Sequence, residues 1–276
     1  MSEEEKDPMP IQTPADGPTA IKVTSYFVRE RNALLVRARF EDLYVDYYLH
    51  GMDHGLKYSN PYDQYLKEAL AGMVLHATTR PWKETHAWTL NFQDPLFNLF
   101  VTGSSLAESV TGRVFLDGVK DTNQGLFHAQ VKVPDEDVRN SAVPLVEAER
   151  GVPAAIEGFY EQSEQRLARM METKDEEYVL ISAQPDCDEE WLAGLTQADM
   201  LALDETETLS PLESRLFRFD CGCSLERIFP ALAPLAAEGI DQLFAEEEAI
   251  TVNCPRCAAK WRVTREQLEA VMGDEE

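Results

Sequence analysis

The chain has 276 residues, with 50 Asp+Glu against 25 Lys+Arg and a net charge of −25, a length that suits one large domain or one domain with a small appendage. A hydrophobic fraction of 44% is that of a globular protein rather than of an acidic disordered chain. So negative a chain repels phosphate backbones and anionic headgroups, which argues against nucleic acid and membrane surfaces as partners. No run approaches the ~18 apolar residues of a membrane span, and the first eighteen residues hold five acids and no apolar stretch of the secretory kind. The expected location is the cytoplasm.

Residues 1–20, with three consecutive acids and four prolines, read as a flexible acidic tail. Residues 21–28 and 33–40 are rich in β-branched and aromatic types, with Asn32 suited to the turn between them. An aromatic stretch at 43–49, including Tyr44, Tyr47 and Tyr48, points to sheet packing, and a Gly-rich loop follows. Asn60 is the expected cap of a helix with Pro61 in its first turn; Tyr62, Leu66, Leu70, Met73 and Ala77 form its apolar stripe. Alternation at Trp88, Leu90 and Phe92, and at Leu99 and Val101, predicts a hairpin. Strands are expected over 110–116, 127–133 and 178–183. Pro153 opens a second helix, with Ile156, Phe159, Tyr160, Ser163 and Leu167 on its inner face. Runs of strands interrupted by a few helices, without a βαβ rhythm, predict an α+β fold: a mixed sheet with packed helices and a small C-terminal module.

Residues 175–214 contain twelve acids and no Lys or Arg. One short amphipathic helix is expected at 188–195; the rest reads as an acidic linker, 196–218, held weakly against the fold.

Four of the five cysteines form two close pairs, Cys221-Gly222-Cys223 and Cys254-Pro255-Arg256-Cys257. Two pairs separated by a folded segment are what a tetrahedral four-thiolate zinc site requires, each pair gripping one edge through a tight turn. Arg227, Arg256, Lys260 and Arg262 are close enough in sequence to lower thiol pKa values there. Strands are expected at 216–220, 250–253 and 260–263, helices after the Ser224 cap and around Ile240 to Phe244, and a capping box at Thr264 and Gln267 before a last helix. From Cys221 onward there are only 56 residues, fewer than the ~70–80 for which an apolar core alone suffices, so folding of this part is expected to depend on one zinc ion. Four thiolates leave no open position for catalysis. Cys187, set among acids, is expected to be a bystander with a raised pKa.

Enzymatic machinery is not evident. His50 and His54 have helical metal-ligand spacing, but Gly51 and Gly55 argue for a loop. His76 is expected to face solvent or a satisfied core partner, and His86 and His128 are isolated in sequence. Nucleophile elbows, phosphate loops and dinucleotide fingerprints are absent.

The order C-x-C, two helical stretches, then C-x-x-C at the far C-terminus resembles the redox-regulated 33 kDa chaperonin (heat shock protein 33) family. Val143-Pro144-Leu145-Val146 followed by Phe159-Tyr160-Glu161-Gln162-Ser163-Glu164-Gln165 is similar to that family's fingerprint before its long helix. Leu35-Val36-Arg37-Ala38 and Thr111-Gly112-Arg113-Val114 are similar to its N-terminal strands. The resemblance covers about residues 21–272, specific at both ends and loose between 40 and 105. It implies a substrate-binding domain over 21–195, the linker at 196–218 and a zinc-binding redox switch over 219–276. It further implies an ATP-independent holdase, not an enzyme, that binds unfolded or partly unfolded client proteins under stress. Zinc would sit on Cys221, Cys223, Cys254 and Cys257 in the reduced state; oxidation would pair Cys221 with Cys223 and Cys254 with Cys257, and a homodimer is one implied oxidised form. The segment from Gln165 to Cys221 is shorter than the family's, the missing part falling between Met200 and Phe217, so weaker cooperation from that region is expected. A static zinc ribbon that docks on a partner without redox switching is the competing reading.

Overall fold

The computed structural model describes residues 19–145, 150–174, 176–245 and 247–273; residues 1–18 of the expected tail and Val146 of the quoted motif lie outside the described residues. The chain opens with β1 (Ile21–Val28) and β2 (Ala33–Arg39), paired antiparallel. Asn32 between them adopts the left-handed conformation, φ 48°, which its short polar side chain tolerates. Next come α1 (Glu41–Asp53), α2 (Tyr62–Thr78), β3 (Thr85–Gln93), β4 (Leu96–Ser104), β5 (Ser109–Phe115), β6 (Leu126–Lys132) and β7 (Arg139–Pro144). They are followed by α3 (Val152–Gln162), β8 (Ala168–Lys174), β9 (Glu177–Ala183), α4 (Glu189–Gly194), α5 (Gln197–Leu201), α6 (Leu203–Thr206) and β10 (Leu209–Phe219). The C-terminal module is α7 (Leu225–Phe244), the hairpin β11 (Ala249–Asn253) and β12 (Lys260–Thr264), and α8 (Arg265–Gly273). The fold is α+β, as expected. No described helix is long and apolar enough to cross a membrane.

Ten strands form one sheet in the order β7-β6-β3-β4-β5-β10-β1-β2-β9-β8. Its halves meet where β5 and β10 run parallel for two residue pairs, Arg218↔Ser109 and Phe219↔Val110. The other contacts in the sheet are antiparallel. Side chains alternate across the strands, and so the sheet feeds two cores. On one face Val36, Ala38, Tyr178 and Leu180 join Trp88, Phe127, Phe159 and the stripe of α2. On the other, Val28, Leu35, Val179 and Ile181 meet Leu192, Leu195, Met200 and Leu203 from α4 to α6. The approach of α2 to α3 requires Gly72, since a Cβ there would fall 2.2 Å from Ile156 Cδ1.

Several local expectations differ. The aromatics at 43–49 lie on helix α1, where Tyr44 and Tyr47 turn into the core and Tyr48 stays exposed. Gly51 is helical, in the last turn of α1, whose buried face of Leu43, Tyr44 and Tyr47 precedes it. The N-cap of α2 is Pro61 rather than Asn60, and its first turn is closed by backbone alone, with Tyr65 N donating to Pro61 O at 3.0 Å. α3 ends at Gln162, so Ser163 caps it and Leu167 packs into the second core instead. The capping box at Thr264 and Gln267 is present, with both bonds at 3.0–3.2 Å.

The largest difference is the acidic segment. Leu192, Leu195, Met200 and Leu203 are all buried, and α6 is separated from β10 by Glu207 and Thr208 alone. β10 then runs between β1 and β5, inside the sheet. The acids that suggested a loose linker find cations elsewhere: Asp188 and Glu207 meet Arg31, and Asp204 accepts from both terminal nitrogens of Arg37 at 2.6 and 2.8 Å. That pairing holds the Asp204 carboxyl below its ordinary pKa. Composition alone hid this, because the partners lie some 160 residues upstream.

His76 and His86 are buried together, their rings perpendicular with centroids 4.8 Å apart. His76 Nδ1 is 2.9 Å from the Tyr160 hydroxyl, and His86 Nε2 lies 3.2 Å from Glu84. His86 is thus isolated only in sequence, whereas His128 is exposed on β6. Burial pushes the His86 pKa down to about 4, outweighing Glu84, and holds His76 well below its usual value. An unfolded His titrates near ~6.5, so the unfolded chain takes up the proton first. Stability is complete above that pH and declines as pH falls toward about 4. His86→Gln is expected to remove on the order of 3 kcal/mol of the loss between those limits, read as a flatter acid limb in urea unfolding across a pH series.

Candidate metal centre

β10 ends at Phe219, and Asp220 alone intervenes before Cys221. Gly222 has φ +62° and packs under Arg227, whose Nη1 would lie 2.9 Å from an added Cβ; this left-handed turn brings Cys221 and Cys223 to one side. The second pair sits between β11 and β12. Ala258 N donates to Cys254 O at 3.0 Å and Cys254 N to Ala259 O at 2.8 Å, with Ala258 left-handed at φ 63°. These two loops bring all four Sγ atoms within 4.8 Å of one another, so they could hold a metal ion.

The donor geometry fits. Zinc–sulfur bonds of about 2.3 Å in a tetrahedron place sulfurs about 3.8 Å apart. The separations are 3.6 Å for Cys221 to Cys254 and 3.5 Å for Cys223 to Cys257. Both short contacts cross from one loop to the other, so sulfur proximity by itself does not select disulfides within the pairs.

Cys254 and Cys257 are buried and Cys221 and Cys223 half-buried. Hydrogen bonding from Cys257 and the charge of Arg256 bring the Cys221 thiol down to about 6. Burial and the Cys221 charge push Cys223 up to about 11, and Cys257 is driven upward as it donates to Cys221. Within the cluster the thiolate is thus favoured at Cys221 over Cys223 and Cys257. Of the nearby cations, Arg256 acts on Cys221. Cys187 is far from this site in chain and core, packed beside α4 to α6, and burial first and then Glu189 and Asp188 raise its pKa.

The cysteine loop is also gripped from the sheet domain. His50 Nε2 donates to the Cys257 carbonyl at 3.2 Å, and Arg113 Nη1 on β5 donates to the Cys254 carbonyl at 3.0 Å. Lys260 N–H donates to His54 Nδ1 at 3.2 Å, and the His54 ring packs on Trp261. His50 in turn stacks edge-on to Phe219, 5.4 Å between centroids, and burial lowers its pKa. The helical His50/His54 spacing was a sequence signal, but of a latch on backbone groups rather than of metal ligands. Arg113, inside the motif Thr111-Gly112-Arg113-Val114, carried no signal of this role, since its partner is a main-chain carbonyl 141 residues away.

Arg113→Ala removes a charge-assisted bond worth ~1.5–3 kcal/mol. It is expected to speed amide exchange at Cys254 and Ala258 by roughly ten- to a hundredfold, while β3 and β4 amides stay unchanged.

Comparison with known proteins adds four findings. A family model described as Hsp33 protein matches residues 167–264, which include all four paired cysteines. The 33 kDa chaperonin of Caldanaerobacter subterraneus subsp. tengcongensis is 36% identical over 84 residues, 30% of this chain and 29% of that protein. That of Bacillus licheniformis is 33% identical over 78 residues, 28% of this chain and 27% of the relative. The matches thus span under a third of either curated relative. The crystal structure of the Thermotoga maritima 33 kDa chaperonin (heat shock protein 33 homolog) shares the fold, with a TM-score of 0.69 at 16% identity over 92% of this chain and 98% of that one. The C-terminal segment that carries the cysteine cluster thus matches the Hsp33 family model, and 92% of the chain shares the fold of a 33 kDa chaperonin.

Proposed function

We propose that the protein is a redox-regulated, ATP-independent holdase of the cytoplasm, not an enzyme, that protects unfolding proteins from aggregation once its cysteine centre is oxidised. The observation that carries the reading is the position of the four sulfurs. They lie at the joint between the sheet domain and a C-terminal module whose buried core is Phe229, Leu232, Ala236, Phe244, Val263 and Leu268. The division of labour is a substrate-binding domain at 21–195, a coupling segment at 196–218 and the switch at 219–276.

In the reduced state Cys221, Cys223, Cys254 and Cys257 hold one zinc ion. When bound, zinc would hold the four sulfurs as thiolates, and Cys221 and Cys223 on one loop would thereby be tied to Cys254 and Cys257 on the other, a contribution of an apparent ~10–16 kcal/mol in modules of this kind. Oxidation joins Cys221 to Cys223 and Cys254 to Cys257. Each Sγ–Sγ bond releases two electrons, which cleave the O–O bond of one peroxide and leave as two hydroxides. Two disulfides thus consume two peroxides. With the sulfurs withdrawn, the carbonyls of Cys254 and Cys257 lose their fixed placement under Arg113 and His50, and the module no longer covers its footprint on α1 and β5. A homodimer of the exposed form is part of the reading.

A second reading, a static zinc ribbon, is favoured by one observation: the coupling segment is packed, with Met200 and Leu203 buried and β10 inside the sheet. The two readings separate on measurement. Reduced protein is expected to bind one zinc per chain. Serine at any of Cys221, Cys223, Cys254 or Cys257 should abolish tight binding, and Cys187→Ser should leave it intact. Peroxide is expected to release the zinc and to turn on suppression of aggregation of a heat-unfolding reporter enzyme, with peptide mapping locating the two disulfides. Zinc retained after peroxide, with no gain in suppression, decides for the static ribbon.

A further inference from the structure

Between α1, the loop at 54–61, β5 and the cysteine loop lies a cavity of about 550 Å³, within the ~300–1,000 Å³ range of ligand sites. Its lining is mainly apolar and aromatic, including Tyr48, Met52, Leu56, Tyr58, Phe219 and Cys257. Tyr47 and Tyr48 both donate to Asp63, at 2.7 and 2.8 Å, which fixes the rings around the mouth. From that mouth an apolar stripe continues along the outer face of α1: Val45, Tyr48 and Met52 are 55%, 45% and 67% exposed. Positions spaced three and four apart share a face of a helix. These three span about 10 Å, the reach of about three residues of extended chain. Methionine adapts to varied apolar partners, and a stripe running out of a deep apolar cavity fits an extended segment with one large side chain at its end.

Charge selects among such segments. Exposed Glu41, Asp42 and Asp53 border the stripe and Asp63 lies at the mouth, against Lys57 on the loop side; the chain as a whole carries −25. We propose that this cavity and the α1 stripe form an anchor site for unfolded polypeptide, seating one aromatic side chain in the cavity and lysine- or arginine-flanked apolar residues along α1. The proposal rests on the holdase reading and adds to it where and what the protein grips. Phe219 forms the inner wall on the sheet side and Cys257 completes it only while the module is docked, so oxidation widens the mouth of a site that α1, the 54–61 loop and β5 already form.

The test uses full-length, peroxide-treated protein and a fluorescein-labelled hexapeptide with two lysines, a leucine and a photoreactive benzoylphenylalanine. Saturable binding by anisotropy is expected, with photo-crosslinks mapping to residues 45–58. Binding should weaken at least fivefold in Val45→Ser/Met52→Ser, whose side chains are exposed enough to leave the fold intact by circular dichroism. It should weaken similarly when the peptide lysines become glutamates. Crosslinks elsewhere, or affinity unchanged by the double substitution, overturn the site. So does a dimer that this substitution dissociates in sedimentation, which would assign the face to a second copy. A tenfold gain on deleting residues 2–18 would assign it to that segment and overturn it likewise. Aggregation suppression, measured in parallel, keeps the two ideas apart. If wild-type protein suppresses aggregation and the variant does so equally, the anchor site fails and the holdase stands. Crosslinks at 45–58 without any suppression leave the site and remove the holdase.

Discussion

Cys221 stands two positions after Phe219 at the end of a strand inside the sheet, and its sulfur lies 3.6 Å from one that belongs to a separate small module. The rest of the arrangement depends on that convergence. On the sheet side the position of Cys221 is set by β10, held antiparallel along β1 and parallel at the tip of β5. On the module side six buried residues and a two-stranded hairpin must orient Cys254 and Cys257. An isolated two-stranded hairpin is marginal in water, so the module draws its order from the sulfur cluster and from the latch on α1 and β5. Chemistry at four atoms is thereby coupled to the placement of more than fifty residues.

The acidic segment shows how charge can mislead about cohesion. Its acids outnumber its cations absolutely, yet Arg31 and Arg37 on the far side of the sequence meet three of them. Ion pairs that remain open to solvent, as Arg31–Asp188 and Arg37–Asp204 are, add little individually, ~0–1 kcal/mol. The cohesion comes instead from Leu192, Leu195, Met200 and Leu203 covering Leu35, Val179 and Ile181. A fully buried aliphatic side chain contributes roughly 1.5–3 kcal/mol, so four of them outweigh the ion pairs. The segment is a lid over one sheet face, and the sheet beneath it is apolar because β2 and β9 are buried on both sides.

Strands and helices with clean periodicity were legible from the sequence: β1, β2, the β3–β4 hairpin, the stripe of α2 and the capping box of α8 all follow local rules. The four-cysteine cluster was legible for the same reason, since paired ligands on tight turns are a local pattern. What escaped was non-local. Tyr44, Tyr47 and Tyr48 have the composition of a strand, and the burial of Leu43, Tyr44 and Tyr47 on one helical face decided for α1. The membership of β10 in the sheet depends on register with β1 across 190 residues, which no window of sequence contains. His50, His54 and Arg113 act on main-chain carbonyls and an amide, groups that every residue offers and that leave no trace in the partner's identity.

The seam between the two half-sheets lies at the same place as the latch. β5 meets β10 in two residue pairs, supported by Arg218 N to Glu108 O and Asp220 N to Val110 O at 3.0 and 3.1 Å. Arg113, four residues further along β5 than Ser109, reaches over to the Cys254 carbonyl, while Phe219 packs under Tyr47 and His50. The seam, the ring stack and the latch therefore share Phe219 and the β5 backbone. So short a parallel junction has few hydrogen bonds of its own, and its rigidity comes from what is packed at its end. In the proposed switch, withdrawal of the module would remove Cys254 and Cys257 from that end and leave Phe219 held by α1 and by its pairing with Val110. The cysteine cluster thus adjoins both the most weakly joined line in the sheet and the surface beneath the module, because both are closed by the same few side chains.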